Sequence, residues 1–319
     1  MTRAVLPEPP SAMDRTRGIG GSDAAAILGL SPWKTPLEVY LEKIGERQPQ
    51  PDTAATYWGR VLEDVVAEEY ARRTGARLRR VNRTLAHPRH PIILANLDRE
   101  IVAHERGPGV LEVKTAARRS DDWGDEGTDE IPEHYLAQVQ HYLGVTGRGW
   151  ADVAVLFLGD RRFAVYHIRR DDELVEALFG EELRFWREHV EPRVPPEPRT
   201  IDDIRRRWPR HEAGKVLVAP PDVMEAAEQL AALRAELKAL EAREKELLAA
   251  IQKAMGDAER LDAPDGRTLA TWKAVTGRRL DTGALRRAHP DLARQFERET
   301  ESRRFLLKVR PENEEEMAA

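Results

Sequence analysis

The sequence predicts an α/β fold, a mixed central sheet flanked by helices, carrying a C-terminal helical extension with coiled-coil character. Three observations predict it. Segments of helical and of strand-like pattern alternate over residues 14–210, a β-rich run VLEVKT lies at 110–115, and a heptad seam begins near residue 223.

Taken in order, residues 22–28 read as a helix stopped by Gly29, and 36–44 as another closed by Gly45. A longer amphipathic helix over 57–73 places Val61, Leu62, Val65, Val66, Glu69 and Tyr70 on one face and ends at Gly75. A short apolar strand is expected over 92–97. The turn sequence Gly107-Pro108-Gly109 then introduces the strand 110–115. After Pro132 a helix is expected over 134–143, followed by a hairpin of strands 151–158 and 163–168 around Gly159-Asp160. Proline and charge mark 201–221 as a linker. Beyond it Val223, Ala226, Leu230, Leu233, Leu237, Leu240, Leu247 and Ile251 step by three and four, interrupted at Glu244, which suits a coiled-coil dimer or a helical hairpin. The expected organisation is a flexible tail 1–13, a main domain 14–200, the linker 201–221, a heptad helix 222–256 and a small basic module 257–319.

Composition narrows the functional classes. The chain has 319 residues, 41% hydrophobic and 34% charged, so a proper core lies under a strongly solvated surface. With no cysteine, disulfides, thiolate metal sites and a cysteine nucleophile are excluded, and a cytoplasmic location is expected. No apolar run approaches the roughly 20 residues of a membrane span. The net charge of -5 argues against general nucleic-acid affinity, so any DNA binding must come from local basic patches.

The chemistry concentrates in Asp98 and Glu112-Val113-Lys114. Asp98 is expected to close one strand, with Glu112 and Lys114 two apart on the next. Residues i and i+2 of a strand share a face, so carboxylate and ammonium point together while Leu111 and Val113 enter the opposite core. Two carboxylates on adjacent strands can hold a hard cation such as Mg²⁺. Such a cation polarises a phosphodiester and acidifies its bound water, and Lys114 can steady charge on phosphate. The plain alternative is a Glu–Lys pair on a strand face. Glu63 is an acidic residue on an otherwise apolar helix face, either a further ligand or a surface partner of Arg60. The glycine loop Gly18-Ile19-Gly20-Gly21, with Arg15, Arg17 and Ser22, could bind phosphate through backbone N–H groups at a helix start; Ser22 as a plain N-cap is the alternative. Gln138 and Gln140 lie on a buried-looking helix where one could meet Lys114. His134 and His141, without further ligands near them, read as surface or satisfied core histidines.

In this order the glycine loop, the Gly59-x-x-x-Glu63 helix, the Asp98…Glu112-x-Lys114 strands and the Gln138-x-Gln140 helix resemble the phage-type exonucleases of the lambda exonuclease/YqaJ recombinase group, within the PD-(D/E)XK superfamily. Ser31-Pro32-Trp33-Lys34-Thr35-Pro36 and Lys43-Ile44-Gly45 match the group's N-terminal pattern. The resemblance covers roughly 14–190 and implies a restriction-endonuclease-like core. It implies a Mg²⁺-dependent deoxyribonuclease, with Mn²⁺ as a substitute, that hydrolyses phosphodiesters by metal-activated water. It further implies a 5′-to-3′ exonuclease on double-stranded DNA in phage-type recombination, working as a homo-oligomer with a single-strand annealing protein. Asp98, Glu112, Glu63 and the Val113 carbonyl would serve the metal. Lys114 would be the catalytic lysine and Gln140 would orient it or the water, with Gln138 a weaker candidate. Arg15 and Ser22, with Arg17 less clearly, would hold a 5′-phosphate and Gln138 could assist at the DNA. Arg99 departs from the glycine frequent after the group's aspartate. The competing readings are an endonuclease of the same fold, for restriction or repair, and a non-catalytic DNA-binding or assembly protein.

Overall fold

The computed structural model describes residues 15–46, 53–299 and 301–309. The tail expected over 1–13 lies outside these residues. The chain divides into two compact units, Met1–Arg207 and Trp208–Ala319.

In the first unit a short 3-10 turn precedes α1 (Gly21–Leu28), followed by α2 (Pro36–Lys43) and α3 (Ala54–Thr74). Glycines in the left-handed conformation cap α1 and α3, Gly29 at φ 77° and Gly75 at φ 69°. A reciprocal capping box starts α2: Thr35 Oγ1 accepts from Glu38 N at 3.2 Å and Glu38 Oε2 accepts from Thr35 N at 3.1 Å. Four strands then run in order: β1 (Arg77–Arg79), β2 (Leu85–Ala86), β3 (Leu94–Ala95) and β4 (Arg99–Ala103). After them come β5 (Gly109–Ala116), α4 (Glu133–Thr146), β6 (Trp150–Phe157), β7 (Arg162–Arg169), α5 (Asp172–Phe185) and α6 (Ile201–Arg207).

The central sheet has the order β1-β4-β5-β6-β7. Only β5 and β6 pair in parallel, because α4 carries the chain back across the sheet between them; the other pairs are antiparallel. Alternation divides the side chains between two cores. Val110, Val153, Val155, Tyr166 and Ile168 pack with Val139, Tyr142 and Leu143 of α4. Leu111, Val113, Ala154 and Val165 face Val66, Ala67 and Tyr70 of α3. Phe157 is fully buried, which contributes about 2 kcal/mol from the apolar area it removes from water. The expected mixed sheet flanked by helices is the fold observed.

Three expectations need correction. The apolar run 92–97 forms only the short β3, which pairs with β2 apart from the main sheet. Asp98 therefore does not close a strand; it stands immediately before β4, which carries buried charged residues and had escaped the apolar pattern. On α3, Val61 and Val65 are exposed while Val66, Ala67 and Tyr70 meet the sheet, so the buried stripe is narrower than the sequence suggested. Finally, residues 201–207 are not linker. Asp203 of α6 is fully buried, accepting from Thr35 Oγ1 at 2.8 Å, and Arg206 pairs with Glu38 at 2.9 Å, which fastens α6 to α2.

The second unit contains α7 (Pro221–Met255), the hairpin β8 (Arg260–Asp262) and β9 (Thr268–Thr271), and two short helices, α8 (Thr282–Ala288) and α9 (Pro290–Gln295). The heptad residues Val223, Leu233, Leu237, Leu240, Leu247 and Ile251 are each at least 43% exposed, an uncovered apolar seam along one long helix. No helix among the described residues is long and apolar enough to cross a membrane.

Candidate active site

The period of two along β5 sends Glu112 and Lys114 to the α4 side of the sheet. Lys114 Nζ donates to Glu112 Oε1 at 2.6 Å and to Gln138 Oε1 at 2.9 Å. Gln138 completes a closed triangle, its Nε2 donating to the same Glu112 oxygen at 2.9 Å and to Tyr142 Oη at 3.0 Å. The Lys114 ammonium also lies 4.5 Å from the centre of the Tyr135 ring. Burial opposes the charge on Lys114, but Glu112 and Asp98 outweigh it and raise its pKa. The lysine is held as a cation.

Asp98 Oδ2 accepts the backbone N–H of Val113 at 2.8 Å, which fixes the aspartate beside β5. Burial, and then the neighbouring Glu112, push the Asp98 carboxyl well above the ordinary carboxylate range, against the pull of Lys114. Two carboxylates crowded in this way are relieved by a divalent cation. Glu112 is only 2% exposed and its Oε2 is buried without a hydrogen-bond partner among the described residues. A buried acceptor of this kind is costly unless a ligand satisfies it. No group of three or more His, Cys, Asp or Glu among the described residues forms a preassembled metal cage. The donor set still suits Mg²⁺, which binds through one or two carboxylates and retains water and substrate oxygens.

Glu63 reaches the neighbourhood from α3, on the other side of the sheet, and contributes to the charge felt by Asp98. Its nearest partner is Arg99, whose Nη1 meets Glu63 Oε1 at 2.6 Å. The same guanidinium pairs with Asp64 and with the Asp98 carbonyl, and the Arg99 side chain is only 7% exposed. Arg99, which stands where the resembled group frequently has glycine, opens β4 and is the group that orients Glu63. Its partners are 35 and 36 residues away, so nothing local signalled the role.

Of the two glutamines, Gln138 meets Lys114 and Glu112, whereas the hydrogen bonds of Gln140 run elsewhere. Gln140 Nε2 donates to the Arg169 carbonyl at 2.7 Å and its Oε1 accepts from Asp171 N at 3.1 Å, tying α4 to the start of α5. Positions i and i+2 of a helix point to different sides, so only one could face β5. His141 is fully buried, with Nδ1 2.8 Å from Glu182 Oε1 and Nε2 2.8 Å from the Leu94 carbonyl, a satisfied core histidine as expected.

The glycine loop is built for close approach. A Cβ on Gly18 would lie 2.3 Å from the Ile92 carbonyl oxygen, and one on Gly21 would lie 2.5 Å from the Tyr142 ring. Ile19 N donates to Ile92 O at 2.7 Å, so this N–H is already used. Gly20, and not Ser22, is the N-cap of α1; its own N–H donates to Asp23 Oδ2 at 3.1 Å. Arg17 and Ser22 are exposed, and the side chain of Arg15 lies outside the described residues. Behind the loop, buried Asp23 is gripped by Lys43 at 2.5 Å and Lys34 at 2.6 Å. Burial alone would raise the Asp23 carboxyl, but the two lysines hold it far below the usual carboxylate range.

Residues 12–149 match the YqaJ-like viral recombinase domain. The chain is similar to the Bacillus subtilis (strain 168) protein described as "Uncharacterized protein YqaJ", with 38% identity over 304 residues, 93% of this chain and 92% of that protein. Among solved structures it is similar to LHK-Exo in complex with dAMP, at 20% identity and TM-score 0.44, covering 60% of this chain and 94% of that one. LHK-Exo is described as an alkaline exonuclease from Laribacter hongkongensis. A phage related exonuclease from Haemophilus somnus 129PT matches at 13% identity and TM-score 0.42, covering 53% of this chain and 92% of that one. Identity of 38% sustained over nearly the full length of both chains makes this protein a member of the YqaJ-like viral recombinase family.

Proposed function

We propose that the protein is a metal-dependent nuclease acting on DNA, a 5′-to-3′ exonuclease on duplex ends that serves recombination. The observation that carries this reading is the buried, unpartnered Oε2 of Glu112 beside Asp98, with Lys114 anchored by Gln138 on the same face. Asp98 and Glu112 would hold Mg²⁺ or Mn²⁺, with the Val113 carbonyl and Glu63 as further candidates. When bound, such an ion supplies Lewis-acid polarisation of the phosphodiester and lowers the pKa of coordinated water.

The chain's own groups do the rest. Lys114, kept charged by its neighbours, steadies the negative charge that grows on the phosphoryl oxygens. Gln138 holds the ammonium in place. Tyr135 closes over it and limits its freedom. Arg99 keeps Glu63 directed toward the site. Arg15, Arg17 and Ser22 are proposed to receive a terminal 5′-phosphate, Ser22 from the first turn of α1, where helix polarity favours an anion. The uncovered seam of α7 supports self-association, which would keep the enzyme on its substrate, and a single-strand annealing protein is the proposed recipient of the product strand.

The test is digestion of linear duplex DNA bearing 5′-phosphate or 5′-hydroxyl ends, in Mg²⁺ or in EDTA. Loss of the 5′-phosphorylated substrate in Mg²⁺ alone is expected. Survival of both substrates overturns the nuclease reading. Equal rates on both ends remove the role of Arg15, Arg17 and Ser22, and cleavage of closed circular DNA replaces the exonuclease by an endonuclease.

A further inference from the structure

Beyond the carboxylate site, the first unit contains a cavity of about 900 Å³ between β1, the β1–β2 connection, β4 and the C-terminal end of α4. Its base is aliphatic. Leu97, Val110 and Val145 are buried there, with Val81 and Leu85 beside them. Its rim is cationic: Arg79, Arg80, Arg83 and Arg148 surround the single carboxylate of Glu100. In a chain of net charge -5 this is a marked local reversal of sign.

Glu100 accounts for two of the arginines. Arg79 and Arg148 both donate to it, and its carboxyl is held below the usual range by that pairing, against the effect of burial. The other two are not consumed. Arg80 approaches Asp64 at 3.6 Å and Glu63 at 3.8 Å, but both carboxylates are already paired with Arg99 at closer range. Arg83 is exposed and has no hydrogen bond or ion pair among the described residues. A structural role thus explains Arg79 and Arg148 and leaves Arg80 and Arg83 over.

Two lining residues are near neighbours in the chain of candidate active-site residues. Leu97 immediately precedes Asp98, and Val110 lies two residues before Glu112 on the same face of β5. We propose that this cavity is a nucleotide-binding subsite for a strand of the nucleic acid, its aliphatic base taking a sugar or base and Arg80 and Arg83 taking the flanking phosphates. This rests on the nuclease reading only in naming the polymer. An apolar floor under a guanidinium rim suits an unpaired nucleotide, whose apolar face and charged phosphate both need a partner.

The experiment measures binding, so it does not depend on turnover. Full-length protein in EDTA is titrated with a fluorescent single-stranded oligonucleotide over a range of salt, alongside Arg80→Gln/Arg83→Gln and Arg83→Lys. Thermal melts confirm that each variant is folded. The double variant is expected to bind on the order of tenfold more weakly, with the slope of log K against log salt reduced by about 1.4, two single-strand phosphate contacts. Arg83→Lys should keep most of the slope. Unchanged affinity and slope overturn the proposal. So does a mononucleotide that binds the wild type as tightly as the oligonucleotide does, which would make this a site for released product. Displacement by an acidic peptide with oligonucleotide binding untouched overturns it in favour of a protein partner. If binding weakens as expected while no divalent ion supports cleavage, the subsite stands and the nuclease reading falls. If cleavage is found and the variants bind normally, the reverse holds.

Discussion

Gln138 Oε1 accepts a hydrogen bond from Lys114 Nζ at 2.9 Å, and this contact helps set the position of the ammonium beside the Asp98–Glu112 pair. Gln138→Ala should lower kcat ten- to a hundredfold, the usual cost of losing a group that orients a functional residue, with KM little changed. Gln138→Asn should recover part of the loss. Steady-state kinetics on duplex ends decide it; an equal effect on KM would make Gln138 a substrate contact instead.

Gln140→Ala should behave differently. It leaves the Arg169 carbonyl and the Asp171 N–H without their partner, so a loss of about 1–3 kcal/mol in stability is expected, with kcat retained. Urea denaturation and the same kinetic assay separate the two glutamines.

Glu112→Gln removes the charge from the unpartnered Oε2. Binding of Mg²⁺ or Mn²⁺ measured by titration calorimetry should disappear, and cleavage should fall on the order of a thousandfold, the scale of several kcal/mol of lost charge stabilisation. Wild-type metal affinity in this variant would place the ion elsewhere.

Asp23 supplies a pH test of stability. Its folded carboxyl is shifted downward, so its contribution is complete above an unfolded pKa near 4 and declines as pH falls through and below that value toward the folded one. Asp23→Asn leaves Lys43, with a side chain only 1% exposed, as an unpaired buried cation, at a cost of about 3–5 kcal/mol near neutrality. Melting curves of both proteins from pH 7 to strongly acid solution should show the gap closing only in acid. A gap independent of pH would mean that packing, not charge, distinguishes them.

Leu233→Glu combined with Leu240→Glu places charge on the exposed seam of α7. Sedimentation velocity should then report a smaller species than the wild type. Identical mass for the two would remove α7 from assembly.

The site was legible where geometry is local. Glu112 and Lys114 share a face because a strand repeats every two residues, and Leu111 and Val113 filled the opposite core as that rule requires. What escaped depends on long-range packing. Whether Gln138 or Gln140 faces β5 is decided by how α4 is rotated against the sheet, and no spacing along one helix reveals that. Arg99 and Glu63 meet across 36 residues. Lys34 and Lys43 were noticed as part of a pattern, but their common partner Asp23 emerged only when α1 and α2 were folded together. The strand β4 was hidden because its charged residues are buried and paired, Glu100 with Arg79 and Arg148 and Arg99 with Glu63 and Asp64, the reverse of what an apolar pattern seeks.

Gly21 and Tyr142 touch so closely that the backbone of one and the ring of the other fill a single space. Tyr142 in turn receives the Gln138 amide, so a side chain at position 21 would be felt at Lys114 through two intermediaries. Across the family the two positions should therefore drift as a pair, a larger residue at 21 being tolerated only where 142 has shrunk. An alignment of relatives would show that bargain as covariation between a loop and a helix more than a hundred residues apart.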